Sequence, residues 1–144
     1  MELVRRAATE TDRPFLWQAI ARAYEEVVTR QFGEWDAEQQ ERAFHDKWRR
    51  ATFEVVELGG ERVGAIWTTD EGDHLWLREV FLLPNYQQQG IGTELVKQEM
   101  AQARRLSKRL RLRVLRESRA RALYTRLGFS VCGETETHFW MEAV

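Results

Sequence analysis

The 144-residue sequence predicts an α/β domain with an early antiparallel meander. Three observations carry that prediction. Apolar residues alternate along some stretches and recur at helical spacing along others. Gly59-Gly60 sits between two alternating runs, 52–58 and 62–69, and reads as a β-hairpin turn. A second turn at Asp70-Glu71-Gly72-Asp73 leads into a long apolar strand, 74–83, after which strands and helices alternate, so that helices must cover the sheet.

The elements follow in order. Residues 3–7 read as a first strand. Thr11 or Asp12 offers an N-cap, and Pro14 falls in the first helical turn, where its missing N–H costs nothing. Leu16, Ile20, Ala23, Tyr24 and Val27 then recur at helical spacing over about 12–30. A second helix spans about 36–50, with Ala37, Phe44 and Trp48 on one face and charges on the other, including His45, which reads as inert. Strands 52–58, 62–69 and 74–83 precede a helix over 92–106, where Leu95, Val96, Ala103 and Leu106 share a side that Glu99 interrupts. Residues 109–116 alternate Arg with Leu or Val, which is a half-buried strand with one wet face. Ala120, Leu123, Tyr124 and Leu127 mark a short helix closed by Gly128. Two last strands run from Phe129 to Ala143. The order is β-α-α-β-β-β-α-β-α-β-β within one domain, 1–144.

Between the long strand and the third helix lies Pro84-Asn85-Tyr86-Gln87-Gln88-Gln89-Gly90-Ile91-Gly92-Thr93. Glycines at 90 and 92 let the backbone turn tightly and leave amides unshielded. The first N–H groups of a helix lack internal partners, and the helix dipole makes that end positive, so the loop suits an anion, most naturally phosphate. No lysine completes a P-loop, and Leu95 stands where a dinucleotide fingerprint needs its third glycine. Gln87, Gly90 and Gly92 instead match [Q/R]-x-x-G-x-[G/A], with Pro84 three residues ahead. That pattern resembles the acyl-coenzyme A signature of the GNAT superfamily of N-acetyltransferases. A second stretch strengthens the resemblance: Ala120, Leu123, Tyr124, Gly128 and Phe129 match N-x-x-A-x-x-[L/F]-Y-x-x-x-G-F in spacing. Glu117 stands where that pattern has Asn. A carboxylate only accepts hydrogen bonds and repels phosphate, so Glu117 is expected to point away as a helix-start acid, or to leave its part to Ser118.

The resemblance implies a GNAT fold, with a central mixed, mostly antiparallel sheet whose fourth and fifth strands splay to admit the coenzyme. It implies direct acetyl transfer from acetyl-CoA to a primary amine of a small molecule or protein. Phe81, Leu82 and Leu83 would pair with the pantetheine arm, the Leu82 amide would polarise the thioester carbonyl, and Gln87, Gln88, Gln89, Gly90, Ile91, Gly92 and Thr93 would hold the pyrophosphate. Tyr124 would serve the departing sulfur as acid, and Glu79 would act as base, with His138 and His74 as weaker candidates. Tyr24, Phe32 and Trp35 would line the acceptor site, joined by Trp76 or Trp140. Glu25, Glu26, Glu34 and Asp36, close by in sequence, would suit a cationic amine.

Composition narrows the alternatives. Hydrophobic residues make up 43% and charged residues 31%, which is an ordinary globular balance rather than a disordered one. A net charge of −1 gives no global field for nucleic acid, even with an Arg-studded strand. The single Cys132 fits a reducing compartment, and the lack of a leader-like or membrane-spanning apolar run points to a cytoplasmic protein with no membrane partner. No metal-ligand spacing is present. Edge strands are compatible with a homodimer. The rival reading is a non-catalytic acyl-CoA sensor, which would keep the loop and lack a working acceptor site.

Overall fold

The computed structural model describes residues 2–144. Its elements are β1 (Leu3–Ala7), α1 (Arg13–Phe32), α2 (Ala37–Trp48), β2 (Glu54–Leu58), β3 (Glu61–Asp70), β4 (His74–Leu82), α3 (Ile91–Arg105), β5 (Arg109–Leu115), α4 (Ala120–Arg126), β6 (Ser130–Glu134) and β7 (His138–Ala143). This is the order expected from the sequence. The strands form one sheet ordered β1-β2-β3-β4-β5-β7-β6, antiparallel except for the β4–β5 pair. No helix among the described residues is long and apolar enough to cross a membrane.

Strand alternation sorts the core into two layers. Val56, Val63, Leu75, Leu77, Leu110, Leu112 and Met141 meet Leu95 and Val96 of α3 and Tyr124 of α4 on one face. Phe53, Val55, Ala65, Trp67 and Phe81 meet Leu16 and Ala19 of α1 and Phe44 of α2 on the other. The alternating Arg strand behaves as its pattern predicts: Leu110, Leu112 and Val114 are buried, while Arg109 and Arg113 are exposed.

Two expectations need correction. Leu106 does not join the buried side of α3; it caps the helix and is exposed. Glu99 does not merely interrupt the stripe. It lies buried against the sheet, where Arg5 of β1 donates to it at 3.1 Å.

The β4–β5 pairing is short, and this positions the site. In register order, His74 to Leu77 pair with Arg109 to Leu112, and pairing stops there, while β5 continues along β7 to Leu115. At the same point β4 carries a bulge. Trp67 opposes Glu79 and Thr68 opposes Leu77, which leaves Arg78 as the extra residue. Beyond the bulge β4 stays on β3, held by a Leu83 N–H to Val63 C=O bond of 2.9 Å. Gly64 permits this close approach: a Cβ there would lie 2.1 Å from the Phe81 carbonyl oxygen. The splay of β4 from β5 is therefore present.

Asp12 ties the N-terminal elements together. It is the residue before α1, yet its carboxylate does not cap that helix. It accepts from Arg6 at 2.8 and 2.9 Å, from Arg62 at 3.3 Å and from the Thr9 amide at 2.9 Å. The Arg6 guanidinium above all, with the Thr9 amide and Arg62, holds this carboxyl well below the usual carboxylate range, against the opposing effect of burial. A depressed carboxyl stabilises the fold fully above its unfolded pKa of about 3.9 and loses that contribution as pH falls below it. Asp12→Asn should therefore cost about 2–3 kcal/mol at neutral pH in urea denaturation. The gap from the parent should narrow below pH ~4; a constant gap at all pH values would show that the charge contributes nothing.

Candidate active site

The splay opens a cleft of about 380 Å³ between the two strands. Leu77 to Val80 line it from β4 and Leu112 to Leu115 from β5; α1, α2 and α4 close it with Tyr24, Lys47 and Tyr124, among others. An ordinary strand would send alternate residues to opposite faces, but the bulge turns Arg78 and Glu79 to the same one. Arg78 lies over Trp76 at 3.8 Å and Trp67 at 5.0 Å, and Glu79 meets Lys47 of α2.

The end of β4 and the loop after it leave several backbone donors without partners. The Leu83 amide is spent on Val63, so alternation points the Leu82 N–H and C=O away from β3, into the splay. The Leu82 carbonyl accepts from Gln87 Nε2 at 3.0 Å, which braces the loop on the end of β4. Of the three residues expected to pair with the arm, Leu82 thus offers its amide, while Leu83 does not. Gln89 Nε2 donates to the Asn85 carbonyl at 2.8 Å, a second brace.

The Gln87 amide bonds the Pro84 carbonyl, and the first bonded amide of α3 is that of Glu94. Between them, the N–H groups from Gln88 to Thr93 have no partner among the described residues. Gln88 and Gly90 adopt left-handed φ values of 61° and 84°, which curl this run of donors into a concave nest. Glycine at 92 has another reason. A Cβ there would meet only Leu82 Cδ1 at 3.9 Å, so nothing in the protein demands its absence; the open space serves an approaching ligand.

Tyr124 is placed by the way α4 ends. Gly128 takes φ 103°; its N–H bonds the Thr125 carbonyl, and the Phe129 N–H bonds the Tyr124 carbonyl at 3.0 Å. Those are the two bonds of a Schellman ending, and Tyr124 packs on Phe129 with ring centroids 5.6 Å apart, the apolar contact that accompanies it. The Y-x-x-x-G-F spacing is thus a helix stop that fixes the Tyr124 ring. Its hydroxyl lines the cleft, has no protein partner among the described residues, and burial pushes its pKa up to about 12.

Glu79 is buried on all but 16% of its side chain. Oε1 accepts from Lys47 Nζ, and Oε2 is buried with no hydrogen-bond partner. Tyr24 lies close enough for its hydroxyl pKa to be raised, first by burial and then by the charge of Glu79.

Tyr24, Phe32 and Trp35 all line the cleft, as the sequence suggests. Other expectations change. Trp76 and Trp140 pack on each other at 5.6 Å and lie outside the cleft lining. Glu25, Glu26, Glu34 and Asp36 are outside it as well: Glu26 pairs with Arg30, and Asp36 caps α2 through the Gln39 amide. Glu117 is not a helix-start acid, because α4 begins at Ala120; Arg30 bonds its carbonyl and lies 3.9 Å from its carboxylate, and Gln31 accepts from its amide. Ser118 Oγ accepts from the Ala120 amide at 3.1 Å. His138 does line the cleft, with its pKa lowered by burial and by Arg113, whereas His74 pairs with Asp73 at the far end of β4. Sequence reasoning missed Lys47, Arg78 and Arg113 as cleft residues. Lys47 and Arg78 carry no motif, and Arg113 is hidden in an alternating strand.

Comparison with known proteins agrees with this geometry. The chain superimposes on the PaiA N-acetyltransferase of Thermoplasma acidophilum in complex with coenzyme A with a TM-score of 0.80, at 19% identity, covering 99% of this chain and 98% of that one. It superimposes on apo YjaB of Escherichia coli with a TM-score of 0.78, at 19% identity, covering 100% and 99%. For the ribosomal-protein-S18-alanine N-acetyltransferase of Escherichia coli the TM-score is 0.70, at 21% identity, covering 98% and 92%. A search of curated protein sequences finds no match. The family model described as an acetyltransferase (GNAT) domain matches residues 49–131, more than half of the sequence, and the chain belongs to the GNAT acetyltransferase family.

Proposed function

We propose that this protein transfers an acetyl group from acetyl-CoA directly to a primary amine. The observation that carries the reading is that Glu79 and Tyr124 line one cleft, while a few residues further along the same strand the Leu82 amide is left unpaired by β3 and leads into a run of unpaired loop amides. The nest from Gln88 to Thr93 takes the pyrophosphate through backbone amides. The amine enters along Tyr24, Phe32 and Trp35. Glu79, which lines the cleft, accepts a proton from the incoming ammonium, freeing the nitrogen lone pair. The nitrogen attacks the thioester carbon, forming the C–N bond, and the developing oxyanion is held by the Leu82 N–H. Collapse restores the carbonyl and breaks the C–S bond. Acetyl-CoA and the ammonium become the amide, free coenzyme A and one released proton.

Tyr124 serves the sulfur in a particular way. With a pKa near 12, its hydroxyl holds its proton more tightly than a thiol of ordinary pKa, about 8.5, would. It therefore stabilises the departing thiolate by donating a hydrogen bond, and the thiolate draws its proton from solvent.

Glu117, standing where the motif has Asn, favours the sensor reading only weakly, and its carboxylate lies 3.9 Å from Arg30, which offsets its charge. A reducing cytoplasm suits the exposed thiol of Cys132.

Calorimetric titration with acetyl-CoA, followed by thiol release against a panel of amines, tests the activity. Binding with release supports it, and binding without release on any amine favours the sensor. Tyr124→Phe should lower kcat about 100-fold with acetyl-CoA affinity little changed; unchanged turnover at saturation would remove Tyr124 from the chemistry. Gly92→Val should weaken acetyl-CoA binding at least ~10-fold with little change in melting temperature, because the new side chain fills ligand space rather than protein space. Glu79→Gln should cost about 100-fold near neutral pH, with the loss shrinking at alkaline pH where the acceptor is already a free amine. A pH-independent loss would make Glu79 a positioning group instead.

A further inference from the structure

The charge of the cleft differs from the expectation that several carboxylates would surround a cationic amine. Lys47, Arg78 and Arg113 line it against a single acid, Glu79, and one oxygen of that acid is already held by Lys47. Arg78 is also engaged. Its guanidinium lies over the Trp76 and Trp67 rings, its Nε donates to Thr69 Oγ1 at 2.8 Å, and Glu71 is 3.5 Å away.

Arg113 differs from both. It is exposed, and among the described residues it forms no ion pair and no side-chain hydrogen bond. Its neighbour on the same face of β5, Arg111, is satisfied by Glu142 at 3.0 Å, and Arg109 reaches Glu142 at 3.2 Å. Arg113 stands opposite Trp140, one pair nearer the splay, where β7 supplies no acid; the next residue of β7 on that face is His138. A guanidinium presents a planar fork of donors that matches a carboxylate in two parallel hydrogen bonds. An unpaired one at the mouth of a partly apolar cleft is a preorganised anion receptor.

We infer that the acceptor is an amine that also bears a carboxylate, of the amino-acid class, with Arg113 binding the carboxylate and Glu79, the one acid of the cleft lining, receiving the ammonium. This rests on the transferase reading above. Tyr24, Phe32 and Trp35 supply an aromatic wall for the remainder of such a molecule. A polyamine fits poorly, because every additional ammonium would meet Lys47, Arg78 or Arg113 and find no second acid.

The test compares thiol release from acetyl-CoA with L-phenylalanine, L-methionine and L-glutamate, with the matching carboxylate-free amines phenethylamine, 3-(methylthio)propylamine and 4-aminobutanamide, and with spermidine. At least one amino acid should exceed its carboxylate-free partner at least 10-fold in kcat/KM, and spermidine should be the poorer substrate. Arg113→Gln should raise KM for that amino acid at least 10-fold and bring the preference for it over its partner close to unity. Arg113→Lys, which keeps the charge but loses the fork, should recover part of the preference. Because Arg113 forms no ion pair or side-chain hydrogen bond among the described residues, neither variant should shift the melting temperature, and a large shift would show it to be structural. Turnover that favours carboxylate-free amines or spermidine overturns the inference and leaves the transferase reading standing. An Arg113→Gln variant with undiminished preference also overturns it. Binding of acetyl-CoA with no release on any probe overturns both.

Discussion

The structure turns on a backbone constraint: β4 and β5 are parallel neighbours that remain paired only as far as Leu77 and Leu112. Parallel strands normally bond along their length, and a buried backbone donor left without a partner costs free energy comparable to a lost hydrogen bond. Here β4 bulges at Arg78 and follows β3, while β5 follows β7. The inner edge of β4 beyond the bulge therefore presents donors and acceptors that another strand would ordinarily use. An extended ligand with amides of its own, such as a pantetheine arm, can take that place. The same bulge turns Arg78 and Glu79 to one face, so one irregularity both opens the cleft and supplies its acid.

What surrounds the splay can be understood as support for it. Gly64 allows β3 to approach the Phe81 carbonyl more closely than any Cβ would permit, which keeps the outer half of β4 in the sheet once β5 has left. Gln87 ties the glycine loop to the Leu82 carbonyl, so the run of unpaired loop amides and the Leu82 amide share one mount. On the other strand, the chain leaving β5 enters α4, whose Schellman ending locks Tyr124 against Phe129. Three local devices thus place one backbone amide, one nest and one hydroxyl around the same gap.

The sequence revealed those parts that depend on local chemistry. The glycine hairpin, the alternating Arg strand and the glycine loop each follow from turn geometry or period, and each appears where its pattern places it. The Tyr124–Gly128–Phe129 spacing was legible for the same reason, because a helix stop is a short-range event. The bulge was not legible. Arg78 reads as one more residue in an apolar strand, and its displacement arises from register with β3, which no local signal encodes. Lys47 was missed because its partner lies thirty-two residues away, on a strand whose facing direction depends on that bulge. Glu25, Glu26, Glu34 and Asp36 misled for the opposite reason: proximity in sequence to Tyr24 and Trp35 says nothing about which way a side chain on a helix or in the connection after it points.

The two sides of the cleft are recognised by different means, and this bears on how such a fold diversifies. In the proposed reading the coenzyme side is read by backbone, through the Leu82 amide and the run from Gln88 to Thr93, so most side chains there can vary as long as the glycines and the register persist. That is consistent with a fold shared almost end to end at 19% identity. The proposed acceptor side is instead lined by side chains from separate elements: Tyr24, Lys47, Glu79 and Arg113 come from α1, α2, β4 and β5. A single substitution on any of these changes the charge or shape met by the acceptor without disturbing the coenzyme's mount. In the proposed reading, specificity can therefore change while the chemistry is retained, and here it would follow from the balance of Lys47, Arg78 and Arg113 against Glu79 in the cleft.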